Sequence, residues 1–391
     1  MGREGEIVKA LVPEFEHRHP GVRVKVQQVP WSAGHEKLLT AYAGDTLPDV
    51  FQLGSTWLPE FAALRAIVPI DPFLDAAATV PRADYFPGIL ATSEIDGRTW
   101  GLPWYVDTRV VFYNRETLAR AGFDRFPDSV AQWRAALERL KTDTAHPIYL
   151  PLGEWELPVI LALQNGAALL DDGTRHPRFA EPAFSRGFAT YVDFFRSGLA
   201  PAAGTSQIAN LYQDFARGEF AMFLSGPWSL GELDRRLTGP ARDSWMTAPL
   251  PGPAAGTPGL SLAGGSSLVI AQRSRHAALA WSLIEFLAEP ARQAEFFRLS
   301  GDLPARRSAW DDPALAGNPR IAAFRSQLEH VAAPPAIPEW ERIAAAIARQ
   351  AEAAVRDETT AARAVAELDA EVDRLLEKRR WLLDRHAGAN P

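Results

Sequence analysis

The apolar residues in the first fifty positions switch period, and that switch restricts the fold more than any other feature. Ile7, Leu11 and Phe15 recur every four residues within 3–19, as on one face of an α-helix, whereas Val22, Val24 and Val26 alternate with Arg23, Lys25 and Gln27 in the period of two of a half-buried strand. Pro20-Gly21 separates the two segments, and Pro30 ends the second. A helix over 32–44 then runs into a short apolar strand over 47–53, closed by Gly54. Such alternation of helix and strand predicts an α/β fold built on mixed, mostly parallel sheets flanked by helices.

The rhythm continues with strands expected over 99–102, 109–113, 220–224 and 264–270, and helices over 130–141, 158–164, 182–196 and 207–217. From 277 onward the pattern is almost wholly helical, with breaks at 301–307 and 334–338. The last helix, over 361–385, carries Val365, Leu368, Val372, Leu375 and Leu376 as its apolar stripe. Lys378-Arg379-Arg380 falls in its last turns, where cations complement the helix dipole. A chain of 391 residues is about twice the usual length of one domain, so two lobes are expected.

Composition removes several classes of function. A net charge of -7 and the lack of a basic block argue against holding phosphate backbones, so no nucleic acid is expected as a partner. With no cysteine, disulfides, thiolate metal sites and thiol nucleophiles are excluded. No apolar stretch approaches the roughly 20 residues of a membrane-spanning helix, and no signal-peptide pattern precedes the first helix. Dinucleotide, phosphate-loop, nucleophile-elbow and zinc-protease motifs are missing; His35-Glu36 lacks the second histidine, and His17 and His19 point to different helix faces. Neither a cofactor nor a metal is expected.

The twelve tryptophans are more informative. Trp31 follows Pro30, Trp57 follows Gly54-Ser55-Thr56, Trp104 and Tyr105 follow Pro103, and Trp228 follows Gly226-Pro227, all at expected strand ends or helix starts. In α/β sheets ligands sit beyond the carboxyl ends of strands, so these rings are placed to meet a ligand face. Trp133, Trp245, Trp281, Trp310, Trp340 and Trp381 lie within expected elements and are assigned to packing. Charged groups accompany the rings: Asp107 and Arg109 follow Trp104-Tyr105, Glu154 and Glu156 bracket Trp155, and Arg306-Arg307 follow Pro304 in a loop. Aromatic faces beside charged hydrogen-bonding groups are the chemistry of sugar recognition, although Asp107 and Arg109 pairing with each other would explain them equally well.

Taken with the opening helix, Pro48-Asp49-Val50-Phe51, 97–103, Val110-Val111-Phe112-Tyr113-Asn114, 215–228, 263–270 and 301–306, this order of segments resembles the extracellular solute-binding proteins of ABC sugar importers, the maltose- and trehalose-binding group in particular. The resemblance implies a periplasmic, monomeric protein with a two-lobed periplasmic-binding fold of type II. Its lobes would comprise 1–108 with 265–315 and 109–264 with 316–391, joined by crossovers near 106–111 and 261–268 that close as a hinge over the ligand. It implies sugar contacts from Asp107, from the stacking ring of Trp228 on the second lobe, from Glu154 and Trp155 on that lobe's cleft wall, and from Trp57 on the first lobe. Gly264-Gly265 would pass close to the ligand, and Arg306 would reach into the cleft. Trp31, Gly54, Trp104, Tyr105 and Arg109 complete the expected ligand-binding set. The family usually begins with a strand, whereas here Met1 stands at the first helix.

The expected function is therefore capture of a neutral sugar, such as maltose, trehalose or a related oligosaccharide, for delivery to ABC transporter membrane permease subunits, without catalysis. Two alternatives remain open at this level. Asp107, Glu154 and Glu156 could supply the paired carboxylates of a glycoside-cleaving or transferring enzyme. Arg109, Arg306 and Arg307 could hold a charged solute such as a sugar phosphate.

Overall fold

The computed structural model describes residues 1–204, 208 and 210–387. The chain divides into two compact units. Unit 1 comprises Met1–Thr108, Pro227–Gly231 and Ala263–Pro338; unit 2 comprises Arg109–Gly226, Glu232–Leu262 and the chain from Glu339 onward. Residues 316–338, and 227–231 with Trp228, thus belong with unit 1, against the expectation that both join the second lobe. The reason is local. Gly88 lies so close to Val331 that an added Cβ would sit 2.7 Å from its side chain, and Arg307 reaches Glu329 through two 2.7 Å hydrogen bonds while covering the ring of Phe86.

In unit 1 the sheet runs in the order Val50–Gly54, Gly264–Ile270, Leu102–Asp107, Leu303–Pro304. All its neighbouring pairs are antiparallel. In unit 2 the order is His146–Tyr149, Phe220–Ser225, Val110–Asn114, Trp245–Ala248, and of these pairs the first alone is parallel. The expectation of mostly parallel sheets is therefore corrected. Helical crossovers do send Val50–Gly54 and Leu102–Asp107 in one direction, but Gly264–Ile270 arrives late in sequence, inserts between them and runs against both.

Most helices follow their apolar stripes. Glu4–Arg18 buries Ile7, Leu11 and Phe15, and keeps its interior Pro13 on the exposed face. Asn114 closes one strand and caps the helix Arg115–Arg120 by accepting from the Thr117 amide at 3.0 Å, a role worth about 1 kcal/mol. The helix expected over 207–217 is found as Leu211–Arg217, ended by Gly218 in the left-handed region at φ 81°; Gln207 and Ala209 lie outside the described residues. The segment 22–29 keeps the expected alternation of half-buried and exposed side chains over 22–27, yet it joins no sheet among the described residues. Its period reports an extended backbone, and a strand needs a ladder partner as well.

The core of unit 1 gathers Leu53, Leu58, Phe61, Ile67 and Val269, all fully buried, around Val50–Gly54. Each such side chain contributes about 1.5–3 kcal/mol of burial. This rigid base carries the residues described next.

Candidate functional site

On unit 1, Trp31 opens the helix Trp31–Ala43 and Trp57 immediately precedes Leu58–Ala63. Both rings are half-buried, with centroids 5.4 Å apart and planes inclined by 58°. Each is held from behind. The Trp31 indole donates to Glu4 Oε1 at 2.8 Å, and Trp57 lies against the His35 ring at 5.2 Å, itself bonded through Nε2 to Glu60 Oε2 at 2.7 Å. The Trp57 ring lies over Gly54, where an added Cβ would meet it at 3.4 Å in ordinary van der Waals contact.

Beneath the rings lies a polar network that sequence reasoning missed. Gln52 Nε2 donates to the Tyr105 hydroxyl and to Ser266 Oγ, each at 3.0 Å, and the Tyr105 hydroxyl donates to Glu4 Oε1 at 3.0 Å. The Met1 amino group donates to Gln52 Oε1. Burial, with Glu4 and Asp302 adding to it, pushes the Tyr105 phenol well above its ordinary range, so it stays a neutral donor. Burial first, then Glu4, raises the Asp302 carboxyl to about 7. Nothing in the sequence distinguished Glu4, which reads as an ordinary acidic residue in a first helical turn; its burial is a consequence of the sheet beside it.

Three expected site residues are corrected. Trp104 and Tyr105 lie inside the strand Leu102–Asp107 and are buried, because Pro103 does not end the strand. Trp104 packs on Phe296 at 4.4 Å, and the Tyr105 hydroxyl is spent on the network above. Arg306 does not reach outward either. Its side chain is 6% exposed, its Nε donates to Asp84 Oδ2 at 2.7 Å, and its NH1 group donates to the carbonyls of Thr79 and Ala288. That guanidinium ties three segments of unit 1 together.

Gly265 is required by the fold itself. It sits at φ +119°, and an added Cβ would lie 2.2 Å from the Tyr105 carbonyl oxygen. Close approach to the neighbouring strand therefore accounts for Gly265, with Gly264 beside it facing half-buried Asp107 at the strand end. Trp228 is the first residue of the helix Trp228–Arg236 and is 43% exposed, the largest exposure among the expected ring residues. A cavity of about 500 Å³ also lies on unit 1, lined by Arg18, His19, Glu285, Phe286, Glu289 and Arg306 among others. None of the expected aromatic residues lines it, and its charges are already committed: Arg18 to Glu289, Glu285 to Thr79, Arg306 to Asp84.

On unit 2, Glu154 and Trp155 precede the helix Glu156–Gln164. Arg109 NH2 donates to Glu156 Oε1 at 2.8 Å and stands 3.6 Å from Glu154 Oε2. The guanidinium thus serves these two carboxylates, a pairing the sequence did not suggest. Trp155 meets Trp340 edge-on at 5.3 Å, and both Tyr149 and Tyr191 are pushed far up by burial, with Glu154 adding to each. Four indoles, Trp31, Trp57, Trp155 and Trp228, therefore stand at helix starts, two of them with carboxylates alongside.

The sequence matches the family model described as bacterial extracellular solute-binding protein over residues 2–294. The chain belongs to this family. Among solved structures, this solute-binding protein is similar to the sugar-binding protein MalE from Xanthomonas citri, with 42% identity, 98% of each chain covered and a TM-score of 0.94. Among curated relatives it is 27% identical to the diacetylchitobiose binding protein DasA of Streptomyces coelicolor, over 85% of this chain and 77% of the relative. It is 24% identical to the galactooligosaccharide-binding protein of Bacillus subtilis, over 86% of this chain and 78% of the relative. These relatives are named as binding proteins rather than enzymes.

Proposed function

We propose that the protein is the sugar-binding component of an ABC importer, which captures a neutral sugar such as maltose, trehalose or a related oligosaccharide outside the cytoplasm and delivers it to membrane permease subunits. One observation carries this reading: the pair of half-buried indoles, Trp31 and Trp57, fixed 5.4 Å apart and backed by the carboxylate of Glu4. Indole faces suit the apolar faces of pyranose rings, and carboxylates accept from sugar hydroxyls at roughly 1.5–3 kcal/mol each. Trp57, Trp228 and Asp107 on unit 1, and Glu154 and Trp155 on unit 2, are the further residues proposed to contact sugar. Similarity to proteins named as sugar-binding, diacetylchitobiose-binding and galactooligosaccharide-binding supports the substrate class.

Hydrolysis of a glycoside is the weaker reading, because Glu154 and Glu156 are committed to Arg109 as an ion pair instead of facing each other as acid and nucleophile. A sugar phosphate fares worse still: Arg109, Arg306 and Arg307 are each paired with a carboxylate.

Thermal-shift measurements against maltose, trehalose, sucrose, diacetylchitobiose and glycerol 3-phosphate, followed by calorimetry, test the proposal. A sugar at about 100 times its Kd should add roughly 2.7 kcal/mol of stability, and Trp228→Ala should weaken its binding at least about tenfold. Release of monosaccharide would favour the enzyme, and silence across the sugars would defeat the reading.

A further inference from the structure

In unit 2 the last helix, Ala361–Ala387, packs on Trp340–Val355 and Pro182–Arg196 and buries Val365, Leu368, Val372 and Leu376. Its basic run, Lys378-Arg379-Arg380, is divided by the helix. Arg379 turns toward the protein, where it donates to the Thr174 carbonyl at 3.0 Å and to Thr174 Oγ1 at 2.7 Å. Arg380 pairs with Asp373 at 2.8 Å and donates to the Arg175 carbonyl at 3.1 Å. These two cations fasten the turn that holds Thr174 at φ 51°. Lys378 belongs to the other side of the helix.

Steps of three and four residues link Arg374 to Lys378, Lys378 to Trp381 and Leu382, and these two to Arg385, so all five share one helix face, and all five are exposed. Arg374 and Lys378 have no partner among the described residues, and the Arg385 guanidinium lies 4.5 Å over the Trp381 ring. Five large apolar side chains are exposed among the described residues, and Trp381 and Leu382, at 54% and 39%, are the only two of them that adjoin in the chain. Of the carboxylates flanking this face, Asp384 is drawn off by Arg175, which leaves Glu377 at its edge.

We propose that this face of the last helix, Arg374, Lys378, Trp381, Leu382 and Arg385, is a docking surface for an anionic phospholipid bilayer, on which the helix lies with its indole at the level of the headgroups. A face that joins uncompensated cations to exposed apolar side chains fits an occupant that is both anionic and apolar. A bilayer is both: its phosphates meet the ends of Arg and Lys, its acyl chains meet Leu and the stems of the cations, and indoles favour the boundary between them. The chain carries a net charge of -7 and is repelled by such a surface as a whole, so the local cations also decide which side of unit 2 turns toward it. Each cation near the surface strengthens binding about fivefold, an effect that salt weakens, so the contact is reversible. None of the five residues is among those proposed to contact sugar.

Flotation of the intact chain with vesicles of phosphatidylcholine alone, and of phosphatidylcholine mixed with phosphatidylglycerol, at low and at physiological salt, tests this. The chain should float with the anionic vesicles, less so as salt rises, and not with the neutral ones. Arg374→Gln combined with Lys378→Gln should weaken that binding on the order of twentyfold, and Trp381→Ala at least about fivefold, whereas Arg374→Lys keeps the charge and should bind as the wild type does. Equal binding to neutral vesicles, no binding to anionic vesicles at low salt, or variants that bind like the wild type would each overturn the proposal. Flotation only with vesicles that carry the permease subunits would overturn it too, in favour of an acidic protein surface. The comparison of the two vesicle types needs the wild type alone, so a variant that fails to fold does not remove the test. Calorimetry of the wild type with the sugar panel is read separately: silence toward every sugar beside intact vesicle binding defeats the proposed function and leaves the docking surface standing.

Discussion

In unit 1 the carboxylate of Glu4 is held by two neutral donors, the Trp31 indole and the Tyr105 hydroxyl, whereas in unit 2 Glu154 and Glu156 share the guanidinium of Arg109. The two arrangements use the same residue types to opposite ends. Neutral donors orient a carboxylate without cancelling its charge, so the surrounding groups must adapt, as Asp302 does by keeping its proton. A shared guanidinium cancels charge locally and leaves a surface of balanced polarity. Unit 1 is thus electrostatically poised, and unit 2 is compensated. Unit 1 also builds compensated pairs, such as Arg82 with Asp71 and Arg292 with Glu14, and it places one of them, Arg306 with Asp84, in the interior.

The largest effect is expected at that interior pair. Arg306→Ala leaves Asp84 and the carbonyls of Thr79 and Ala288 without their donor in a place that is nearly closed to water, and should cost about 3–5 kcal/mol. Arg109→Ala removes the partner of two carboxylates that water reaches more freely, at 22% and 36% side-chain exposure, and should cost about 2 kcal/mol. Urea unfolding of both variants measures the difference. Equal losses would erase the distinction between a structural pair and a surface one.

Isosteric amides sharpen the contrast because their signs differ. Asp302 has a folded-state value of about 7 against an ordinary 3.8, so the folded protein binds the extra proton. Its contribution to stability is greatest below about pH 4, declines as the pH rises, and is fully lost above about pH 7. Asp302→Asn should therefore match the wild type near pH 4 and exceed it above pH 7, by an amount on the order of 4 kcal/mol. Glu156→Gln in unit 2 should do the reverse at neutral pH and lower stability by about 1 kcal/mol, since it weakens the pairing with Arg109. Melting curves of both variants across pH provide the check, and a Glu156→Gln variant that gains stability would break the comparison.

Smaller again is the expected effect of the paired indoles on binding. Trp57→Ala should weaken sugar affinity about tenfold, equivalent to about 1.4 kcal/mol, because its ring half of the Trp31–Trp57 pair is lost. His35→Phe should keep most of the affinity, since a ring remains at 35 to back Trp57. Calorimetry with the best sugar from the screen separates the two, and comparable losses in both variants would show that the bond from His35 to Glu60, rather than ring packing, holds Trp57.

What was legible in the sequence follows from the range of the forces involved. The stripe of Ile7, Leu11 and Phe15 is local, set by neighbours within a turn, and it found its element. Strand direction was misread because it depends on Gly264–Ile270, which inserts from far along the chain between two strands already parallel in direction. The segment 22–29 failed as a strand for a related reason, since periodicity cannot supply a partner. The places of Trp31, Trp57 and Trp228 at helix starts were readable from Pro30, Gly54 and Pro227 before them. Trp104, Tyr105 and Arg306 had similar flanks, and only the packing of Phe296, Gln52 and Asp84 against them reveals that they face inward. Glu4, Gln52 and Asp302 carried no signal, because burial by distant segments gives them their roles.

The smallest effect is expected where an indole is most exposed. Trp381 was assigned to packing from its helical setting, yet it is 54% exposed and covered on one face by the Arg385 guanidinium at 4.5 Å. Its exposure exceeds that of Trp228, so exposure alone would rank it as the better sugar contact. It lies instead near the end of the 27-residue helix Ala361–Ala387, close to Lys378, Arg379 and Arg380, with a cation over its ring. A solvent-exposed cation–π contact contributes about 0.5–1 kcal/mol, so Trp381→Ala should lower stability by no more than that and leave sugar affinity unchanged. Calorimetry and melting of this variant beside Trp57→Ala measure whether the helix start and its carboxylates, rather than the bare ring, make an indole a binding group; a loss of affinity at Trp381 as large as at Trp57 would mean that they do not.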